Sequence, residues 1–406
     1  MMFSCALVFL MTPGLALFYG GMVRRKNVLN TLMSSFMVCG LASMLWIFIG
    51  YTLSFGGDAG GAGIIGTFKF LGLANLPETV DYAPTIPSFG FVAFQMMFAI
   101  ITPALITGAL AERMRFSALF IFLAAWSIVV YYPAAHMMWG AGGLLSKLGA
   151  VDFAGGLVVH VSSGVSGLVA CIMLGKRKGH GVLKYNPHHL PMIFIGAGLL
   201  WFGWFGFNAG SALTSGTLAF NAFMATNTSG AAAMLTWMLM EKITQGKPTV
   251  LGAVTGAVVG LATITQSSGF VSIWAAAVIG AAASPICFIA MSVIKRKFGY
   301  DDALDAFGCH GVGGIWGCIA TGLFAQSAIN PAAKWDGLFF GSTELFVRQL
   351  AALGITVALA GLGTFVIMFI LKKCMAVRVS EKEETDGLDY AEHGETAYPA
   401  FTGLDQ

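Results

Sequence analysis

The chain has 406 residues, of which 57% are hydrophobic and only 10% charged, and its mean hydropathy is +0.79. No soluble domain can cover so much apolar surface with polar side chains, so the composition excludes a soluble protein and indicates a membrane protein. The net charge of +3 comes from basic residues scattered between apolar stretches, which excludes a nucleic-acid-binding face.

Apolar stretches long enough to cross a hydrocarbon core of ~30 Å as helices of ~20 residues recur along the chain. We predict eleven transmembrane helices, numbered 1 to 11 in chain order, at residues 3–23, 31–56, 88–110, 116–138, 152–174, 190–208, 217–241, 249–268, 270–294, 303–326 and 344–372. The predicted fold class is therefore an all-α polytopic membrane protein.

The distribution of lysine and arginine predicts the orientation, because basic residues that flank membrane spans are retained in the cytoplasm. The loops after helices 1, 3, 5, 7 and 9 and the segment after helix 11 carry nearly all of the 22 basic residues. The exceptions are Lys69, Lys147, Lys334 and Arg348. We therefore predict an extracellular amino terminus and a cytoplasmic carboxyl terminus.

A spaced pattern of aspartate, histidine and glycine occurs twice, in helices 5 and 10. His160 follows Asp152 by eight residues, and His310 follows Asp302 by the same interval. Successive membrane helices alternate in direction, so helices 5 and 10, which are five apart, run in opposite directions. The pattern therefore predicts two inverted five-helix repeats plus one accessory helix, with the site at the interface of the repeats. Ionisable residues inside a membrane are costly and usually functional, so we predict that both histidines line this site.

The predicted topology brings three aromatic residues and a hydroxyl towards the extracellular side. Trp139 ends helix 4, Phe207 and Ser211 lie at the end of helix 6, and Phe98 lies a few turns into helix 3. Aromatic faces attract cations and a hydroxyl accepts a hydrogen bond from an N–H donor. A small hydrogen-bonding monovalent cation fits such a mouth, although each aromatic residue taken singly is equally typical of an interfacial belt or a core.

Other roles for the two histidines remain open at this stage. A metal site is disfavoured because no Cys, Asp or Glu stands near both rings to complete the ligands. Bis-histidine haem ligation is disfavoured by the glycine-rich turns around the histidines, which leave little room for a cofactor. The third alternative is a structural pair hydrogen-bonded to each other. We predict no metal, no cofactor and no enzymatic activity.

Composition changes sharply near Arg378, and residues 379–406 carry eight of the 19 acidic residues and a single lysine. We predict a transmembrane domain at 1–375 and a cytosolic regulatory tail at 376–406. Segment 381–395 is too charged to form a core of its own, so it is predicted either to dock on the basic loops or a partner, or to remain solvated.

Several long motifs resemble the ammonium transporter (Amt/Rh) family, and the tail resembles its bacterial branch. The motifs are PGLALFYGGMVRRKN (13–27), GALAERMRFSA (108–118), DFAGGLVVHVSSG (152–164), GWFGFNAGSA (203–212), FGCHGVGGIWG (307–317) and the tail segment RVSEKEETDGLDYAEHGETAY (378–398). The resemblance covers nearly the whole chain.

The resemblance implies a homotrimer whose subunits each contain a narrow pore. Phe98, Trp139 and Ser211 would recruit ammonium ion, with Asp152 as a buried acid that organises this site. Phe98 and Phe207 would form a stacked gate, and His160 and His310 would line the apolar pore. A PII-type signalling protein is the partner expected at the cytoplasmic face, and the inner (cytoplasmic) membrane is the expected location.

Two features depart from the family pattern. Gln266 stands where the family usually has proline, and we expect this change to alter an outer loop without reaching the pore residues. The short extracellular segment expected before helix 1 is absent from the sequence, so we expect an upstream segment or signal. The alternative function is an ammonium sensor, a pore-like receptor whose tail reports occupancy through a cytosolic partner.

Overall fold

The computed structural model describes residues 1–398, and over these residues the chain is helical, with isolated bridges but no strand. Residues 399–406, the end of the predicted tail, lie outside the described residues.

Eleven long helices follow one another along the described residues, joined by connections of unequal length. In the first half, α1 spans Met2–Met22, α2 Arg25–Phe55, α3 Ser88–Leu110, α4 Phe116–Trp126 with its continuations Ser127–Tyr131 and Tyr132–Trp139, and α5 Gly156–Leu174. In the second half, α6 spans Leu190–Gly210, α7 Thr217–Gln245, α8 Val250–Ile264, α9 Ile273–Phe298, α10 Phe307–Phe324 and α11 Glu344–Cys374. Two short helices follow, α12 at Glu381–Asp386 and α13 at Leu388–His393.

Nine of the helices in residues 1–398 are long and apolar enough to cross a membrane, namely α1 to α6 and α9 to α11. Helix α8 is apolar but shorter, and α7 falls outside this set. The chain is therefore a multi-pass membrane protein, and each predicted apolar segment corresponds to a helix. The count of eleven crossings and the orientation of the termini stay predictions.

Helices α5 and α10 begin later than predicted, and the reason lies in the two aspartates. Regular helical structure starts at Gly156 and Phe307, so Asp152 and Asp302 precede their helices. Each carboxylate accepts hydrogen bonds from backbone N–H groups of the first turn. A helix leaves these donors without intrahelical partners, so the acids act as caps.

The two halves share a pattern of neighbours. Helix α2 packs on α3 and α4, and α7 packs likewise on α8 and α9, while α1 packs along α6. Helices α5 and α10 approach so closely that a Cβ on Gly164 would overlap the backbone of Gly311, and one on Gly314 would lie 3.0 Å from the nitrogen of Val161. Small residues permit this contact of backbones, which is what brings the two histidine-bearing helices together.

Buried charges gather at one end of the helix bundle. We call this end the basic face, because the basic loops 24–26, 113–115 and 176–178 lie there. Arg177 pairs with Glu112 at 2.7 Å and with Asp301 at 2.8 Å. Burial alone would raise the pKa of Asp301, but the hydrogen bonds from Arg177 and the charges of Arg113 and Arg177 hold this pKa well below its usual range. Burial is likewise outweighed at Glu112, whose pKa is lowered by Arg177 and Arg24.

The described part of the tail, 376–398, docks on this basic face. Glu384 is buried and accepts hydrogen bonds from the guanidinium of Arg378 at 2.7 Å and from the backbone of Lys178 at 2.6 Å. Asp389 accepts the backbone N–H of Asn30 at 2.9 Å, in the first turns of α2. The alternative of a solvated tail is therefore wrong for these residues, because buried acids find backbone donors and arginines on the basic face.

Candidate functional site

A cavity of about 260 Å³ opens at the end of the helix bundle opposite the basic face. Phe98, Trp139 and Ser211 line this outer cavity together with other aromatic residues. The rings of Phe98 and Trp139 meet edge to face, with centroids 6.0 Å apart. Helix α3 thus contributes one ring, the end of α4 the indole, and the end of α6 the hydroxyl.

The inner end of the outer cavity is closed by two phenylalanines. Phe98 and Phe207 stack with centroids 4.1 Å apart and planes inclined by 27°. Both side chains are almost completely buried. A centroid separation this short is van der Waals contact, so nothing fits between the rings unless one of them moves.

The stacking continues from the phenylalanines to the histidines. The His160 ring lies 6.3 Å from Phe207 at an inclination of 27°, and His310 lies 5.2 Å from His160 at 14°. We call these four residues, Phe98, Phe207, His160 and His310, the ring stack. It leads from the outer cavity into the centre of the bundle, with side chains supplied by α3, α6, α5 and α10.

The histidines keep hydrogen-bonding capacity inside this apolar stack. Among residues 1–398, neither ring nitrogen of His160 has a hydrogen-bond partner, and Nδ1 of His310 has none. The two rings therefore stack without bonding to each other, so the alternative of a hydrogen-bonded structural pair is wrong. Buried polar atoms are normally paired, so these three nitrogens are exceptions within the apolar stack.

Asp152 lies beside the outer cavity and does not line it. Its Oδ1 accepts the backbone N–H groups of Gly155 and Gly156 at 2.8 and 2.7 Å. Its Oδ2 accepts those of Leu157 and Val158 at 2.8 and 3.2 Å. Its backbone carbonyl accepts the indole N–H of Trp139 at 2.9 Å. One residue thus caps α5, which carries His160, and holds the indole of the outer cavity.

Asp302 occupies the corresponding position before α10. Its carboxylate accepts the N–H groups of Ala306 at 3.1 Å and Phe307 at 2.8 Å, and its carbonyl accepts the Lys295 ammonium at 2.6 Å. The backbone carbonyl in front of each histidine helix therefore binds a side chain from another element, an indole in one half and an ammonium in the other.

Sequence reasoning missed Trp204, which stacks on His160 with centroids 5.5 Å apart. Its indole N–H donates to the Thr265 hydroxyl at 2.9 Å, which fixes the ring against the histidine. The available signal was helical spacing, because Trp204 precedes Phe207 by three residues and so shares its helix face.

Gln266 is fully buried and lies against the segment that precedes α5. Its side-chain amide donates to the carbonyl of Val151 at 3.1 Å, and its backbone carbonyl accepts the N–H of Phe153 at 3.0 Å. Gln266 therefore contacts both neighbours of Asp152. The side chain also fills the space beside Gly156, where a Cβ would collide with it.

No cluster of three or more His, Cys, Asp or Glu side chains able to hold a metal ion occurs in residues 1–398. His160 and His310 therefore belong to no such cluster within these residues.

A stack of buried rings that leads from an open cavity into the core of a multi-pass helical bundle is the architecture of a membrane transport protein. The chain belongs to the ammonium transporter family, since the model of the "Ammonium Transporter Family" matches residues 1–398.

Similar proteins extend this assignment. An "Ammonium transporter" of Bacillus subtilis is 52% identical over 399 residues, covering 98% of this chain and 97% of the relative. "Ammonium transporter Amt1" of Archaeoglobus fulgidus is 46% identical, covering 97% of each chain. Among solved structures, Saccharomyces cerevisiae Mep2 has a TM-score of 0.87 at 33% identity, covering 98% of this chain and 90% of that one. A structure titled "Sensor Amt Protein" has a TM-score of 0.87 at 27% identity, covering 96% of each chain.

Proposed function

We propose that this protein transports ammonium across the cytoplasmic membrane, recruiting ammonium ion at the outer cavity and passing ammonia along the ring stack. The observation that carries the proposal is the continuity of the stack from Phe98 to His310, with imidazole nitrogens that lack partners among the described residues. The family assignment and the names of the relatives support the substrate.

Recruitment uses Trp139, Phe98 and Ser211. The faces of the two rings attract a cation by about 0.5–2 kcal/mol each, more when water is displaced. The Ser211 hydroxyl donates its hydrogen to the carbonyl of Phe207 at 2.9 Å, which leaves the oxygen free to accept an N–H from the ion. Because the ion must offer an N–H donor, this arrangement favours ammonium over potassium. Asp152 acts as the buried organiser of the site and not as a ligand.

Deprotonation before the constriction follows from electrostatics. A bare cation inside a low-dielectric stack loses its hydration, and two neutral imidazoles replace only part of that loss. Neutral ammonia has little hydration to lose. Each neutral imidazole has one donor and one acceptor nitrogen, so His160 and His310 hydrogen-bond ammonia in either orientation.

The phenylalanine pair acts as the gate. The described conformation is closed, because the Phe98 and Phe207 rings touch over their faces. Rotation of one ring opens the way to His160, and closure behind the molecule limits the number of waters that follow. This keeps the ring stack dry enough for neutral transport.

The membrane arrangement is part of the same proposal. We infer eleven crossings in two inverted five-helix repeats plus α11, an extracellular amino terminus, a cytoplasmic basic face and tail, and a homotrimer. The shared neighbour pattern of α2 and α7 supports the repeat, and the clustering of basic loops at one end supports the orientation. The docked tail and basic face offer a surface for a PII-type protein, which would regulate transport from the cytosol.

An ammonium sensor is the second candidate, favoured by the likeness to the structure titled "Sensor Amt Protein". A sensor of this fold binds the ion at the outer cavity and changes the docking of its tail without sustained flux. The two candidate functions therefore differ in whether the protein carries out sustained ammonium flux.

The deciding experiment is current recording on protein reconstituted in liposomes that contain a pH-sensitive dye, under an inward ammonium gradient. A transporter gives saturable ammonium-dependent flux, and none under an equal potassium gradient. A current reports movement of charge. A dye response without current reports flux of neutral ammonia. Flux no greater than that of protein-free liposomes, together with ammonium-dependent tail movement, would favour the sensor.

A further inference from the structure

The segment 149–155, in front of α5, is mostly buried but not helical. It begins and ends with glycines in the left-handed region, Gly149 at φ +83° and Gly155 at φ +109°. Backbone groups buried in a membrane protein need partners, and without a helix or a sheet these partners must come from side chains or from the backbone of other elements. The partners of residues 151–153 therefore reveal what fixes this segment.

Two buried glutamines supply most of these partners. Gln349 of α11 accepts the N–H of Val151 through Oε1 at 2.9 Å and donates to the carbonyl of Val151 through Nε2 at 2.9 Å. Gln266, in the turn after α8, donates to the same carbonyl and accepts the N–H of Phe153 through its own carbonyl. Both side chains are fully buried. Together the glutamines hold the residues on either side of Asp152.

The carbonyl between these fixed points is that of Asp152, and it accepts the indole of Trp139 at 2.9 Å. The direction of that carbonyl is set by the peptide planes on both sides, because the chain has only two soft dihedrals per residue. The glutamine pair therefore determines where the indole lies over the outer cavity. Neither glutamine lines that cavity.

We propose that Gln266 and Gln349 are positioning residues for ammonium recruitment, acting through the Asp152 carbonyl on Trp139. This inference rests on the recruiting role of the outer cavity. It also gives α11, which is accessory to the two repeats, a part in the site through the side chain of Gln349. Polar side chains are expensive in membrane helices, so a buried amide there is expected to have a specific partner.

The test is the apparent KM and maximal rate of ammonium flux in liposomes for Gln349→Met and Gln266→Met. Methionine has a similar length and cannot replace the amide bonds. We expect KM to rise about three- to tenfold in Gln266→Met, which loses one side-chain hydrogen bond, and by at least as much in Gln349→Met, which loses two. The maximal rate should stay within about twofold in both. Thr356→Val is the matched control, because Thr356 is buried two turns further along α11 and its hydroxyl bonds only to Ala352 of the same helix.

Repeating each glutamine substitution in a Trp139→Leu background distinguishes the positioning role from a purely structural role. Residues that act through one another are not additive, so the glutamine changes should add no further rise in KM there. Full additivity, or unchanged KM in both single variants, overturns the inference. If Gln349→Met does not fold, Gln266→Met carries the test, since it removes one bond to the Val151 carbonyl and keeps both bonds from Gln349, so the fold is retained while the positioning is weakened.

The outcome for Trp139→Leu alone separates this inference from the proposed function. A raised KM in that variant with unchanged KM in both glutamine variants overturns the positioning role and leaves the recruiting site standing. An unchanged KM in Trp139→Leu overturns the recruiting site and the positioning role together.

Discussion

The imidazole rings of His160 and His310 lie face to face, with centroids 5.2 Å apart and planes inclined by 14°. One ring comes from α5 and the other from α10, and the contact depends on the glycine crossing of those helices. The pair therefore joins the two halves of the chain at the point where transport is proposed to occur.

Removing either ring should change what permeates more than it changes the fold. In His160→Ala and in His310→Ala, we expect ammonium-dependent current to be abolished or redirected, because the stack loses a donor and an acceptor in an apolar passage. Current and dye response in liposomes are the measurement. Val165→Ala, further along α5, serves as the control and should keep both signals. Unchanged current and selectivity in both histidine variants would contradict the twin-histidine pathway.

Asp152 should prove structural. Asp152→Ala leaves four buried N–H groups at the start of α5 without their acceptor, and we expect a loss of about 2–4 kcal/mol in stability together with loss of flux. Asp152→Asn keeps one acceptor oxygen and the residue's size, so it should retain more of both. Thermal unfolding in detergent and liposome flux are to be measured side by side. Equal loss of flux in the two variants would instead indicate that the charge itself binds the cation.

The tail should govern regulation and leave recruitment alone, because it docks on the basic face, at the opposite end from the outer cavity. Deletion of residues 379–406 should preserve the selectivity for ammonium over potassium and weaken binding of a PII-type protein in co-purification. A truncation that alters selectivity and spares partner binding would contradict this assignment.

A point substitution tests the same docking more finely. Glu384→Gln removes a buried charge that pairs with Arg378 at 2.7 Å, so we expect faster proteolysis of the tail. Glu381→Gln is the matched control, because the Glu381 side chain is 84% exposed and its pairing with Lys178 contributes little. Equal protection of the tail in both variants would show that Glu384 does not hold it.

Acid should destabilise the basic face before other parts of the protein. The pKa values of Asp301 and Glu112 are lowered in the folded protein, so their contribution to stability is present above the unfolded values, about 3.9 and 4.3. This contribution is lost as the pH falls below the pKa values of the unfolded chain and through the lower pKa values of the folded protein. We expect Asp301→Asn to cost about 3–5 kcal/mol at neutral pH and to flatten the loss of stability below about pH 4.

Thermal unfolding between pH 7 and pH 3 measures this effect. Asp386→Asn is the control, since Asp386 is exposed and should leave the profile unchanged. An Asp301→Asn profile parallel to that of the unmodified protein would contradict the assignment.

The sequence by itself determined the helical membrane fold, because runs of apolar residues of membrane length admit only helices whose backbone groups bond internally. It also pointed to His160, His310, Trp139, Phe98 and Phe207, because ionisable and aromatic residues stand out in apolar surroundings and the spacing from aspartate to histidine repeats. Ser211 was added as the hydroxyl at the end of the same predicted helix as Phe207. Their roles remain proposals that the experiments above address.

Only the tertiary structure decided the capping of α5 and α10 by aspartates, the stacking of Trp204 on His160, and the contacts of Gln266 and Gln349 with the segment around Asp152. Gln349 and Val151 are 198 residues apart in the chain, and Gln266 and Val151 are 115 apart. No local periodicity carries information on such pairs. Their contact depends on how the close approach of glycine-rich helices brings distant backbone groups together, and that is a property of the packed bundle.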